Sequence, residues 1–401
     1  MNVLYLSYDG MLEPLGQSQV IQYLLRLAPA HSIALISFEK PHDLADAARM
    51  AETRRGLAEA GIEWHPMRYH RRFSLASTLY DVVRGFTAAA RIVRRRHVQV
   101  VHARSYVMGL LGLMLKAATG TRLLFDMRGF WPDERVDGGS LQAQSLLYRL
   151  LKRLEKQLLV SADAVVSLTH AGVAALRQQS YVQEAGVDFE VIPTCTNLSL
   201  FTPSEIPPPE PPLVFGYVGS VASYYRFDRV LDTFEVIRSR YPSAQLVVVN
   251  KGQHDLIAPM LAARPLLSGC TELRELPFRE VAQAMRSFHA ALFFIVPSYA
   301  KQASSPTRLG ELLACGVPCL VNSGVGDIGP LVHDRGVGVV VDLEASEDEL
   351  ERAVHRLVEM ARSPDVRQRC VDVAHEVYGL EQGVAAYHRL YLRLGTERHG
   401  K

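Results

Sequence analysis

Cysteine is scarce in this chain of 401 residues, with only Cys195, Cys270, Cys315, Cys319 and Cys370. An odd count without a grid of paired Cys-x-x-Cys steps excludes a disulfide framework, and Cys315 with Cys319 provides two metal ligands at most. Reduced thiols in a packed interior are the expectation. Long apolar runs are absent too. No stretch approaches the roughly eighteen residues a membrane-crossing helix needs, and the first ten residues enter a strand without a basic signal region. A cytoplasmic protein is expected, with peripheral attachment at the inner face of a membrane as an extension of that reading. No Asp-x-Asp occurs, and the acid pairs Asp43/Asp46 and Asp133/Glu134 lack a ligand pattern, so neither a metal nor a cofactor is called for. No Gly-x-Gly-x-x-Gly follows the first strand, which argues against a dinucleotide site. Nor does one sign of charge dominate, at 44 basic against 42 acidic residues. With no recognised binding module and no aromatics interleaved with the arginines, nucleic acid is not an expected partner.

What is present is a long, ordinary globular composition, 48% hydrophobic and 21% charged, which at this length implies two domains. Short apolar runs at 3–7, 33–38, 64–67, 98–102, 123–126, 164–168 and 189–192 alternate with helical patterns. That alternation predicts a parallel sheet covered by helices on both faces, an α/β fold of the Rossmann-like kind. Residues 201–212 carry six prolines and read as an extended linker. The expected division is a first domain over 1–202, a linker over 203–212 and a second domain over 213–379. A final helix, about 380–401, is expected to return to the first domain.

The most informative stretch is 291–321. An apolar strand, Ala291 to Ile295, leads into a polar turn. Ser305-Pro306-Thr307 then opens a short helix with Leu309, Leu312 and Leu313 on its inner face, ended by Cys315-Gly316. A helix start has unpaired N–H groups and a partial positive charge, so Ser304, Ser305 and Thr307 can hold a phosphate. Arg308 sits in the first turn, where the helix dipole disfavours a cation unless an anion is bound. Glu311, a turn further on, can accept both hydroxyls of a ribose. An ordinary N-cap with surface charges is the alternative.

The run Ser-Ser-Pro-Thr-Arg-Leu-Gly-Glu-Leu-Leu-Ala-Cys-Gly-Val-Pro at 304–318 resembles the donor-binding signature of retaining glycosyltransferases of family 4, which have the GT-B fold. The Leu-Gly-Gln-Ser-Gln, His-Ala-Arg-Ser-Tyr and Asp-Met-Arg-Gly-Phe-Trp blocks of the first half narrow this to a subgroup found among bacterial polysaccharide-assembly proteins. The resemblance implies two Rossmann-like domains with parallel sheets facing across a cleft. It further implies transfer of a sugar from a nucleoside diphosphate to a glycan or lipid-linked acceptor, with retention; arginines and helix starts can carry the charge of the leaving diphosphate, so no metal is expected. The family's signature has two glutamates; the second matches Glu311, whereas the first falls on Ala303. In the first half, the loop with Gly16 faces the donor in relatives, unless Gly16 is only a helix-entry turn. His102 matches the first histidine of a His-x-His strand end and Arg104 replaces the second; a hydrogen-bonded core histidine is the other reading of His102. Asp126 and Arg128 lie in a charged loop that either salt-bridges itself or meets the acceptor. In the second half, Gly219 and Ser220 occupy the phosphate-side turn, with Ser220 where relatives have a first cation and Arg226 taken as the second; a surface arginine is its alternative. Thr169, at another strand end, is expected to cap the following helix.

From Arg68 to Arg96 the chain has eight arginines and one acid, Asp81, beside an apolar helical stripe. A basic amphipathic helix suits an anionic membrane surface or a phosphate-linked lipid acceptor; a solvated face on a core-packed helix is the alternative. Two other functions fit the fold: an epimerase or hydrolase of nucleotide sugars, or a non-catalytic nucleotide-binding scaffold.

Overall fold

The computed structural model describes residues 1–70 and 74–396, so Arg71 and Arg72 of the basic segment, and residues 397–401 of the expected final helix over about 380–401, lie outside the described residues. Strands β1 (Asn2–Ser7), β2 (Ser32–Glu39), β3 (Glu63–Arg68), β4 (Val100–Arg104), β5 (Arg122–Asp126), β6 (Ala164–Ser167) and β7 (Phe189–Val191) form one sheet. Its order is β3-β2-β1-β4-β5-β6-β7, parallel throughout. Strands β8 (Val214–Val218), β9 (Gln245–Val249), β10 (Thr271–Arg274), β11 (Ala290–Phe293), β12 (Cys319–Asn322) and β13 (Gly338–Val341) form the second, again parallel, in the order β10-β9-β8-β11-β12-β13. Helices follow nearly every strand, so both faces are covered and the central strands are apolar almost without interruption, as in Leu4 to Leu6 or Leu246 to Val249.

In each sheet the strand order reverses once, between β1 and β4 and between β8 and β11. At such a switch point the connections leave in opposite directions and open a crevice beyond the carboxyl ends of the two strands, where ligands bind in open α/β sheets. Two edges are thereby marked: the loop after β1 with the end of β4, and the turn after β8 with the chain after β11.

The chain forms two compact units, residues 1–193 with 380–401, and residues 194–379. The final helix, Leu380–Thr396, thus belongs with the first unit, beside the helix at Gln22–Leu27. The proline-rich stretch departs from expectation: it is part of the second unit rather than a linker between two. Phe201 is buried in that unit's core. Arg286 donates to the carbonyls of Leu200 and Thr202 at 3.1 and 2.9 Å, Arg367 donates to the carbonyl of Ser204 at 3.0 Å, and Arg362 pairs with Glu210. A proline-rich chain offers carbonyls but few N–H donors to a sheet, and guanidinium groups from neighbouring helices take those carbonyls instead.

The expected strand over 291–295 is shorter than its apolar run. After Phe293 the chain leaves the sheet and pairs with the loop following β8. Arg226 N–H donates to Phe294 O at 3.0 Å and Val296 N–H to Tyr224 O at 2.8 Å, with an antiparallel bridge between Tyr225 and Ile295. The helix behind it runs Thr307–Ala314, with Cys315 as its C-cap and Gly316 at φ 76°, as the sequence pattern requires.

Candidate active site

The first cluster lies at the β1/β4 switch point. Pairing sets Tyr5 beside His102, Ser7 beside Arg104, and Arg104 beside Asp126. Because side chains alternate along a strand, His102 and Arg104 share one face. Tyr387 and Tyr391 from the returning helix, one turn apart, close over that face. The Tyr391 hydroxyl lies 2.6 Å from His102 Nδ1, and the Tyr387 hydroxyl donates to Asp126 Oδ2 at 3.1 Å. The Asp126 carboxylate can only accept, and it faces His102 Nε2 at 3.5 Å, so the imidazole carries its proton on Nε2 and its Nδ1 accepts from the Tyr391 hydroxyl.

Arg104 Nη1 and Arg128 Nη1 each stand 3.8 Å from the Asp126 carboxylate, and Arg104 Nε donates to Asp9 Oδ2 at 3.3 Å. Burial alone would raise the Asp126 carboxyl, but Arg128, His102 and Arg104 together hold it at about 2. Burial lowers the His102 imidazole despite Asp126, so it is neutral at physiological pH. Burial likewise opposes the charge of Arg104, and Tyr5, Asp126 and Asp9 more than restore it. The four first-unit residues singled out in the sequence are therefore one assembly: a neutral imidazole, a firmly ionised carboxylate and two guanidiniums. Two non-glycine residues flank it with left-handed backbone, Ser105 at φ 67° after β4 and Arg128 at φ 63° after β5. Such strain concentrates where function fixes the chain.

Gly16 opens the π-helical turn Gly16–Ile21 and is buried. A Cβ there would lie 2.1 Å from the Gly10 carbonyl oxygen, so this glycine closes the loop after β1 on itself. The sequence reading passed over Glu39, which is fully buried at the end of β2 and holds the same loop. Its Oε1 accepts from Met11 N–H at 2.9 Å and Ser37 Oγ at 2.6 Å. An acid closing an otherwise apolar strand, Ile33 to Phe38, was the available signal.

The second cluster lies at the β8/β11 switch point. Gly219, at φ 140°, and Ser220 make the turn after β8. The turn is braced by Asn250 Nδ2 donating to Gly219 O at 2.8 Å and by Val221 N–H donating to Gln253 Oε1 at 2.9 Å. The Tyr217 hydroxyl donates to Ser220 O. Burial pushes that hydroxyl's pKa up, Tyr225 adds to the rise and Arg308 opposes it, which places the Arg308 guanidinium in the field of this turn. Glu311, only 3% exposed, bonds Arg308 Nη1. Burial raises its carboxyl above the ordinary range and Arg308 counters part of the rise.

The helix carrying Thr307, Arg308 and Glu311 starts at Pro306 without a side-chain cap, leaving its first N–H groups to other partners. Ser305 Oγ accepts from Thr194 N–H at 3.3 Å, and Ser304 N–H donates to Lys301 O at 3.1 Å. Arg226 is chelated by Asp228, at 2.9 and 3.0 Å from Nε, and meets Glu344 at 3.3 Å. The cation assigned to Arg226 from sequence is thus already neutralised within its own helix start; Asp228, two residues on, was its signal. Lys301 is the cation the sequence reading missed. It is buried, with Nζ 3.5 Å from the Tyr224 ring centroid, and its carbonyl accepts from Gly326 N–H at 2.8 Å. At the remaining strand end, Thr169 caps its helix by accepting from Gly172 N–H at 3.0 Å.

Comparison with known proteins places both halves. Residues 23–195 match the family described as glycosyl transferase 4-like domain, and residues 201–376 match glycosyl transferases group 1. Among curated proteins there is no match. Among solved structures, sucrose-phosphate synthase from Thermosynechococcus elongatus is similar at 17% identity with a TM-score of 0.72, covering 98% of each chain. HepE from Anabaena, in complex with UDP and glucose, has 13% identity and a TM-score of 0.66, covering 97% of this chain and 99% of that one. A glycosyltransferase from Rickettsia africae has 11% identity and a TM-score of 0.72, covering 99% of both chains. Identities this low carry the fold.

Proposed function

We propose, for a chain that belongs to the glycosyltransferases of GT-B fold, that it transfers a sugar with retention from a nucleoside diphosphate to a glycan or lipid-linked acceptor. The donor site is assigned to the β8/β11 edge and the acceptor side to the β1/β4 edge. The observation that carries the reading is the buried Glu311 carboxylate beside the uncapped helix start at Pro306. A carboxylate that takes both ribose hydroxyls, next to an uncapped helix start whose N–H groups can take phosphate, is a nucleoside diphosphate cradle. HepE, solved with UDP and glucose, supports beginning with uridine nucleotides.

In this reading Arg308 and Lys301 face the diphosphate with the Gly219–Ser220 turn and the backbone at Ser304, Ser305 and Thr307. Arg226 contributes only after releasing Asp228. The C1–O bond of the donor breaks, the departing diphosphate is held by these cations and dipoles, and the sugar carbon becomes cation-like. The acceptor oxygen bonds C1 on the face the diphosphate leaves and passes its proton to a phosphate oxygen. Positioning and stabilisation of the leaving group are the protein's main contributions, and no divalent ion enters the scheme. Ala303, where the signature's first glutamate falls, offers no carboxylate nucleophile. In the first unit, Asp126 holds the Arg104 and Arg128 guanidiniums on either side of its carboxylate, and His102 offers a neutral imidazole rather than a cation.

The test is incubation with UDP-, GDP- and ADP-sugars in the presence and absence of acceptor extracts and of EDTA. Nucleoside diphosphate release is followed, and the new anomeric linkage is read by proton NMR. Acceptor-dependent release that survives EDTA and keeps the anomeric configuration is the expected result. Equal release without acceptor supports a hydrolase or epimerase, and an inverted product removes the retaining scheme.

A further inference from the structure

Three helices of the first unit lie side by side on one face of its sheet, with Ser105–Thr119 between Ser74–Arg96 and Leu146–Ser161. They lead into β4, β5 and β6, so all three run antiparallel to the strands and begin at the carboxyl edge that holds His102 and Asp126. At that end the surface is apolar. Leu79, Tyr80 and Val83 are 61%, 54% and 50% exposed, and Leu146 and Leu150 are 80% and 59% exposed. Between them the outward face of Ser105–Thr119 offers half-buried Val107, Leu110 and Met114 at helical spacing. Monomeric surfaces rarely leave leucines this exposed on adjacent helices.

Charge completes the pattern. Each of the two outer helices contains one acid, and each is buried. Asp81 accepts from the Tyr8 hydroxyl and the His70 N–H at 3.1 and 3.0 Å, and Glu155 accepts from the Tyr106 hydroxyl at 2.6 Å and pairs with Lys152. Among the described residues the three helices expose no carboxylate, while Arg149 is exposed in the first turn of its helix and Arg91, Arg94 and Arg153 are exposed towards or beyond the middles of theirs. The basic segment from Arg68 to Arg96 is partly structural: Arg95 and Arg96 pair with Glu63, and Arg96 also donates to Ser32 Oγ at 2.6 Å.

We infer that this face docks on an anionic lipid bilayer, the apolar ends entering the headgroup boundary and the arginines meeting lipid phosphates. No helix among the described residues is long and apolar enough to cross a membrane, so the contact is peripheral. An acidic protein surface would satisfy the arginines but not five exposed apolar side chains on the same face, whereas a bilayer satisfies both. Docked in this way, the β1/β4 edge meets the membrane surface, where the phosphate-linked headgroup of a lipid acceptor lies. The choice of a lipid-linked acceptor rests on the proposed function; the docking itself does not.

Vesicle flotation tests it, with phosphatidylglycerol in phosphatidylcholine against phosphatidylcholine alone. The full chain is expected to float with the anionic vesicles. An Arg91→Gln/Arg94→Gln/Arg153→Gln variant is expected to lose roughly a hundredfold in partitioning, at about fivefold per charge near the surface. A Leu79→Ser/Leu146→Ser/Leu150→Ser variant is expected to lose the fraction that stays bound at high salt. All six positions are exposed, so melting temperature and nucleotide titration serve as folding controls and report separately on the donor site. Absence of vesicle binding by the wild-type chain, or binding indifferent to both variants, overturns the inference. So does a leucine variant that only turns a dimer into a monomer by light scattering, which would make the face a contact between copies.

Discussion

Replacing Glu311 by alanine weakens binding of the nucleoside diphosphate by about tenfold to a hundredfold, with little change for inorganic pyrophosphate. A hydrogen bond to a charged group contributes about 1.5–3 kcal/mol, and this carboxylate has two oxygens for two ribose hydroxyls. Its burial matters to the size of the effect. At 3% exposure little solvent competes for the oxygens, and burial has already raised its pKa, with Arg308 as the opposing charge. Glu311→Gln keeps the volume but loses the charge, so it should fall between wild type and alanine. The comparison with pyrophosphate separates ribose recognition from a general loss of the cradle. Calorimetry decides: unchanged nucleotide affinity in a folded Glu311→Ala protein removes this residue from the site.

Asp126→Asn destabilises the protein by about 3 kcal/mol at neutral pH and lowers kcat more than it raises KM. The carboxylate is 1% exposed and faces Arg104, Arg128 and the Tyr387 hydroxyl. Taking the charge away removes the buried carboxylate between Arg128 and Arg104 and leaves Arg104 with the carboxylate of Asp9 alone, and breaking a buried pair in this way costs several kcal/mol. The pH dependence has a definite sign. The folded-state pKa of about 2 lies below the ordinary 3.8, so the unfolded chain takes up the proton first as acid is added. Stability from this group, roughly 2 kcal/mol, is therefore complete above pH 4 and drains away as pH falls towards 2. Urea unfolding of both proteins should show a gap that narrows across that window. A gap below about 0.5 kcal/mol at neutral pH, or one that widens in acid, contradicts the electrostatic account.

Much of this was legible from residue order alone. Apolar runs of four to six residues alternating with helical patterns can only be satisfied by a sheet buried on both faces, which is what β1 to β7 and β8 to β13 form. The short helix over Thr307–Ala314 followed from its leucine spacing and the Cys315–Gly316 stop. His102, Arg104 and Asp126 come together because strand register brings the ends of β4 and β5 side by side, and Arg128 joins them from the turn just after β5, which strand-end positions already implied. What sequence could not supply was pairing over long separations. Tyr387 and Tyr391 reach His102 and Asp126 from the far end of the chain, and nothing in their local pattern distinguishes them from other tyrosines on an amphipathic helix. Arg226 looked like a free cation although Asp228 stands two residues on, because the pairing itself, and the second partner Glu344 far along the chain, are visible only once the helix start is built. The proline-rich stretch looked like a tether because composition reports stiffness and not the arginines that hold it. Lys301 escaped notice because its setting over Tyr224 depends on the loop after β11 folding back against the loop after β8.

The central claim is a nucleoside diphosphate site at the β8/β11 edge. Its most direct measurement is calorimetric titration of the full chain with UDP, GDP and ADP and their sugars, each with and without EDTA. Micromolar binding selective for one base, undiminished by EDTA and lost in Glu311→Ala, is the predicted result. Failure of all of them to bind at millimolar concentration would contradict the account and leave a fold that has kept the shape of the site without its chemistry.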